Sequence, residues 1–258
     1  MLKEKTPKVS VCVVTYNQEK YIRQCLQSIV DQKTDFDFEV IVGDDCSTDG
    51  TRAIVQEFAN KYPDMVKPIF HEKNIGGGKN YFCVHKSARG EYIAHVDGDD
   101  YCLPGKLQAQ ANLLNSNPHC NIVWHRMYAL TPENILYVDN FSDIGLTLKK
   151  YYLGDIICNV TIGLHSSKMY RNLISIERLE NTNESDYLDF TINILQLNDT
   201  DKYACFVDEA QYGVYRANIG ISQQQNSKIK TQNSKQKIWL SLFWRTVGLR
   251  LRNKLKNF

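Results

Sequence analysis

Asp97, Asp99 and Asp100 place three carboxylates within four residues, beside Gly98 and directly after the apolar run 92–96. Like charges at this spacing repel, and burying them unpaired costs several kcal/mol. A divalent cation offsets that repulsion. Mg²⁺ and Mn²⁺ prefer carboxylate and phosphate oxygens and leave coordination positions open for a substrate's phosphates. Taken alone, the same residues also read as a solvated acidic turn. Two further polar groups follow apolar runs, Thr15-Tyr16-Asn17 and Asp44-Asp45. A glycine-rich turn at 74–78, holding Asn74 and Gly76 and followed by Lys79, is placed to approach a diphosphate, with an ordinary turn as the competing reading.

The elements that must position these groups alternate. Residues 9–15 form an apolar, β-branched run suited to a strand buried on both faces. Ile22, Cys25, Leu26, Ile29 and Val30 then repeat at helical spacing. A second strand at 38–42 ends at Gly43-Asp44-Asp45, and Ile54, Val55, Phe58, Ala59 and Tyr62 mark a second helix. A third strand (66–70), a helix (79–88) and a fourth strand (92–96) complete a β-α-β-α-β-α-β order. That order predicts an α/β fold with a doubly wound, mostly parallel sheet and helices on both faces. Ligands bind such sheets outside the carboxyl ends of the strands, where the three polar groups converge. Beyond residue 104 the pattern predicts a helix to 115, a hairpin of 122–130 with 135–138, a helix at 186–197, and short strands at 204–207 and 212–215.

At 258 residues the chain has room for one large α/β domain or two small ones. Its net charge of +2 hides an asymmetry: residues 223–258 carry nine Lys and Arg and no acid, leaving the remainder at −7. The organisation expected is a body of 1–222, divided at 115, and a basic tail of 223–258. Within that tail Trp239, Leu240, Leu242, Phe243 and Trp244 lie among basic residues, which favours an amphipathic helix on an anionic membrane surface over a solvated end. Nucleic acid is not an expected partner, because the acidic body repels phosphates. No apolar stretch of about 18 residues and no leader-like segment occurs, so a cytoplasmic location is expected, with peripheral contact on the inner membrane face. Eight scattered cysteines without a C-x-x-C pair read as free thiols.

Residues 9–17, with Tyr21-Ile22 and Leu26-Gln27-Ser28-Ile29, resemble the opening of family 2 glycosyltransferases with the GT-A fold. Residues 39–51 are similar to that family's second strand and acidic turn, and residues 90–100 with 103–107 to its D-x-D strand and following helix. The resemblance implies inverting transfer of a sugar from a nucleotide-sugar donor, a UDP-sugar, to an acceptor hydroxyl. The acceptor class it implies is a glycan or polyprenyl-diphosphate-linked carrier used in making surface polysaccharides such as lipopolysaccharide or capsule. By resemblance, Tyr16 stacks on the nucleotide base and Asp45 hydrogen-bonds it. Asp97 and Asp99 divide ribose binding and metal coordination, and Asp100 supports them or shares the metal, Mg²⁺ or Mn²⁺. Asp186 matches the catalytic base, with Glu184 second; a helix-capping role competes for both.

Two features depart from the family or stay outside it. Asn218 stands where the family has a histidine that helps bind metal, and an amide oxygen is the weaker ligand. The six histidines show no metal-ligand spacing in sequence, His95 reads as a core residue, and His165 falls where the family lines the acceptor side. Rival readings are a pyrophosphorylase, which lacks its arginine-containing glycine loop here; a dehydrogenase, which lacks G-x-G-x-x-G after a strand; and a catalytically degenerate nucleotide-sugar-binding module.

Overall fold

The computed structural model describes residues 6–138, 150–159, 163–173 and 188–217. Its first half follows the apolar periodicity closely. Strands β1 (Val9–Thr15), β2 (Phe38–Asp44), β3 (Val66–Phe70) and β4 (Tyr92–Asp97) alternate with helices α1 (Ile22–Val30), α2 (Thr51–Lys61) and α3 (Gly77–Lys86). Helix α1 buries Ile22, Cys25, Leu26 and Ile29, the stripe its spacing requires, against the sheet. Helix α3 begins two residues earlier than its sequence pattern, because Gly76, at φ 89°, makes the turn into it. Left-handed backbone of this kind favours glycine.

Strand β5 (Tyr101–Cys102) and helix α4 (Lys106–Ser116) follow, then the hairpin of β6 (Cys120–Leu130) and β7 (Leu136–Val138). Helix α5 (Leu153–Asn159), a single 3-10 turn at His165–Ser167, strand β8 (Met169–Arg171), helix α6 (Leu188–Gln196) and strand β9 (Tyr203–Arg216) complete the described chain. These elements build one sheet of order β3-β2-β1-β4-β8-β6-β9-β5, with β7 paired to β6. Strands β1, β2, β3, β4, β6 and β9 point one way, and β5, β7 and β8 run against them. The sheet is therefore mostly parallel. Strand order reverses at β1, flanked by β2 and β4, and this is where the three polar strand ends lie.

Two elements differ from the sequence pattern. The apolar runs 204–207 and 212–215 belong to one strand, β9, that continues through the polar residues between them. Its pairing with β6 shifts register at His125 and Arg126, so the intervening residues bulge out of the ladder. Strand β8 is three residues long, too short for any periodicity, and exists because β4 and β6 offer it an edge on each side. The turn before it, His165–Ser167, is thereby carried to the end of β4.

Candidate active site

Register sets the site. Thr15 pairs with Asp44, and Val14 with Asp97, so the ends of β1, β2 and β4 stand side by side. The loops beyond them are tied together. The Asp45 N–H donates to the Thr15 carbonyl at 3.1 Å. Asn17, in left-handed backbone at φ 52°, accepts from the Thr48 N–H at 2.8 Å and donates its own N–H to Ser47 Oγ at 2.9 Å. The Thr15 hydroxyl donates to Gln18 Oε1 at 2.7 Å. A side chain at Gly98 would overlap Gln18 and crowd Thr15, so glycine there lets the acidic turn close onto β1. Tyr16 stands at this edge 43% exposed, an aromatic face open to a planar ligand.

The glycine-rich turn is fastened to β2 by Asp45. This carboxylate, 2% exposed, accepts the Ile75 N–H at 2.7 Å and the Gly76 N–H at 2.9 Å, while Asn74 Nδ2 donates to the Asp45 carbonyl at 3.2 Å. Lys79 is exposed on the first turn of α3. Asp44 is fully buried and paired with Arg52 Nε at 3.1 Å. Asn74, Gly76 and Asp45 therefore form one unit, and the sequence had shown them only as a turn and a separate acid.

The three carboxylates at the end of β4 have different surroundings. Asp100 is 1% exposed; its Oδ2 accepts the Ser166 hydroxyl at 2.5 Å and its Oδ1 the Arg216 N–H at 2.9 Å. With both oxygens so engaged, Asp100 braces the turn. Burial, together with Asp97 and Asp99, pushes its carboxyl well above the usual range. Asp99 is partly exposed, and burial followed by the Asp97 charge pushes it up to about 7. Arg216 donates to the Asp99 carbonyl and lies across the rings of Tyr21 and Tyr101. Ser166 is the hub: its hydroxyl also accepts the Asp97 N–H at 2.9 Å, and its carbonyl accepts from the buried Lys106 ammonium at 2.6 Å. Neither Ser166 nor Lys106 stood out as a site residue in the sequence. Ser166 carries no local signal, and Lys106 lay within the 103–107 match without an assigned role.

Asp97 is held by histidines. His95 Nε2 lies 3.1 Å from its Oδ1 and His165 Nδ1 3.4 Å from its Oδ2. Burial opposes ionisation of Asp97, but His165 and His95 outweigh it and hold the carboxyl well below the usual range. Spacing along the chain gave no hint of this pair, which 70 residues separate. The ligand atoms of His95, Asp97 and His165 lie within 4.8 Å of one another, close enough to share a cation. Ring geometry favours another account. The two imidazoles stack at 3.7 Å with an interplanar angle of 25°. Nitrogen lone pairs lie in the ring planes, so the rings aim at the Asp97 oxygens rather than at a common ion. A hard divalent cation fits better at Asp99, which like Asp97 is partly exposed but whose crowding by Asp97 a positive charge would relieve. Asp186 and Glu184, the candidate bases, and Asn218 lie outside the described residues.

Residues 10–173 match the family model Glycosyl transferase family 2. The chain belongs to the family 2 glycosyltransferases. This glycosyltransferase has the GT-A fold. It is 29% identical over 195 residues to the putative glycosyltransferase EpsE of Bacillus subtilis, covering 74% of this chain and 67% of that protein. It is 41% identical over 132 residues to the poly(ribitol-phosphate) β-N-acetylglucosaminyltransferase TarS of Staphylococcus aureus, half of this chain and 22% of TarS. The structure of TarS 1–349 with UDP-GlcNAc superposes with a TM-score of 0.64 at 27% identity, over 83% of this glycosyltransferase and 59% of that chain. An uncharacterised protein of Mycobacterium tuberculosis is 40% identical over 136 residues, and the glycosyltransferase spans only 38% of its length.

Proposed function

We propose that this glycosyltransferase moves a sugar from a UDP-sugar to an acceptor hydroxyl, with inversion at the anomeric carbon. The convergence of Thr15, Asp45 and Asp97–Asp100 on one sheet edge carries this reading. Tyr16 offers a face for the base, with Asp45, Thr15 and Asn17 shaping its bed. Asp97, fixed by His95 and His165, binds the ribose hydroxyls. Asn74, Gly76 and Lys79 border the diphosphate, where the Lys79 ammonium counters its charge. Asp99 would hold Mg²⁺ or Mn²⁺, braced from behind by Asp100, and such an ion would supply Lewis-acid neutralisation of the diphosphate leaving group. Asp186 takes the acceptor proton, with Glu184 as the second choice.

The acceptor is a glycan or a polyprenyl-diphosphate-linked saccharide, in surface-polysaccharide synthesis of the lipopolysaccharide or capsule kind. The TarS name, a transferase acting on a poly(ribitol-phosphate), supports that class. Residues 1–115 form the donor half and 116–222 the acceptor half. The basic tail of 223–258 rests on the inner face of the cytoplasmic membrane. Incubation with a panel of nucleotide sugars and Mn²⁺ or Mg²⁺ tests the reading. Transfer or donor hydrolysis that disappears in Asp99→Ala supports it. Donor binding without turnover in any acceptor mixture favours the degenerate binding module instead.

A further inference from the structure

Behind Asp97 runs a chain of buried polar groups contributed by three elements. The Tyr170 hydroxyl of β8 lies 2.6 Å from His85 Nδ1 of α3. His85 Nε2 lies 3.0 Å from His95 Nδ1 of β4, and His95 Nε2 lies 3.1 Å from Asp97 Oδ1. Tyr170, His85 and His95 are all buried. Tyr81 stacks on His85 at 3.7 Å and His165 on His95 at the same distance, so neither ring is free to turn.

The donor and acceptor inventory orders this chain. A neutral imidazole has one N–H and one bare nitrogen, and a carboxylate only accepts. Asp97 therefore requires the His95 proton on Nε2. With His95 neutral, its Nδ1 is an acceptor and takes the His85 Nε2 proton, whereas a His95 charged by Asp97 would donate from Nδ1 and reverse the bonds to His85 and Tyr170. His85 Nδ1 in turn accepts from the Tyr170 hydroxyl. With both rings neutral, every hydrogen bond in the chain points toward Asp97. Charging both rings would set two cations 3.0 Å apart in a buried layer, and would leave the bond between them with two donors and no acceptor.

We propose that Tyr170, His85 and His95 are positioning residues: a one-way hydrogen-bond chain that fixes the His95 tautomer and so the orientation of the Asp97 carboxylate toward the donor. The chain touches no substrate itself. The inference rests on Asp97 as a donor ligand, and the test separates the two claims.

Nitrogen-15 NMR of the histidine-labelled full chain reads the tautomers directly, and UDP with Mn²⁺ is the binding probe. His85 and His95 are expected as the Nε2–H tautomer, and Tyr170→Phe is expected to shift the His85 Nδ1 resonance. His95→Gln keeps an N–H near the Nε2 position and should hold the UDP Kd within about threefold. His95→Asn keeps only the Nδ1 side and should weaken UDP about tenfold, the loss of one hydrogen bond to a charged group. An Nδ1–H tautomer or a doubly protonated ring at His95, unchanged resonances in Tyr170→Phe, or equal UDP affinity in the Gln and Asn variants would overturn the chain. Where His95→Asn does not fold, the wild-type tautomers and Tyr170→Phe still decide it. If Asp97→Asn binds UDP as tightly as wild type while the tautomers hold, the ribose assignment fails and the one-way chain stands.

Discussion

Single side chains hold this site together by accepting backbone N–H groups as much as by facing a ligand. Asp45 illustrates it: its two oxygens bind the Ile75 and Gly76 amides, so its value to a nucleotide includes the loop it fixes. Asp45→Ala releases both amides and should weaken UDP binding at least tenfold, as measured by titration calorimetry, with the melting temperature also lowered. Ser166 joins Asp97 to Asp100 through one hydroxyl. Ser166→Ala leaves the buried Asp100 without its Oδ2 partner and should cost about 1–3 kcal/mol in urea unfolding. The acidic cluster and Tyr16 were legible in the sequence because like charges beside glycine, and an aromatic at a strand end, are local signals. Ser166 was not, and His165 was placed only by resemblance on the acceptor side: both reach Asp97 only through folding across nearly 70 residues.

At the scale of elements, two packing devices carry their own tests. At the amino ends of β1 and β2, Glu39 accepts the Ser10 hydroxyl at 2.7 Å and pairs with Arg89 at 2.9 Å. Burial pushes its carboxyl up, but the hydrogen bonds from Ser10 and Arg89 more than offset this, and it ionises below its ordinary value of 4.5. A lowered folded-state value means that the stabilisation is present above pH 4.5 and is lost as pH falls through the lower value. Melting temperature against pH should show this acid limb, and Glu39→Gln should flatten it. Gly163 packs against Trp124 so closely that an added Cβ overlaps the indole ring. Gly163→Ala should displace Trp124 and cost about 1–3 kcal/mol, read by denaturant unfolding with tryptophan fluorescence. The strands and helices of the first half were legible because each buries a stripe that repeats over several turns. Strand β8 and the turn at His165–Ser167 are too short to repeat.

For the molecule as a whole, the charge division between an acidic body and a tail of nine cations makes a separable prediction. Deleting residues 237–258 should release the protein from anionic liposomes in a flotation assay while its UDP affinity is kept; unchanged partitioning would remove the membrane role. Among the described residues no helix is long and apolar enough to cross a membrane. By itself the sequence determined the order of strands and helices in the first half, the family, and the acidic strand end, since these follow from residue type and short-range spacing. Only the tertiary structure decided which carboxylate does what. It buried Asp100 under Ser166 and Arg216, left Asp97 and Asp99 both partly open, and gave only Asp97 the two stacked histidines among the described residues. Burial and partner identity set the charge and freedom of a carboxylate, and both are properties of packing that three adjacent aspartates cannot reveal on their own.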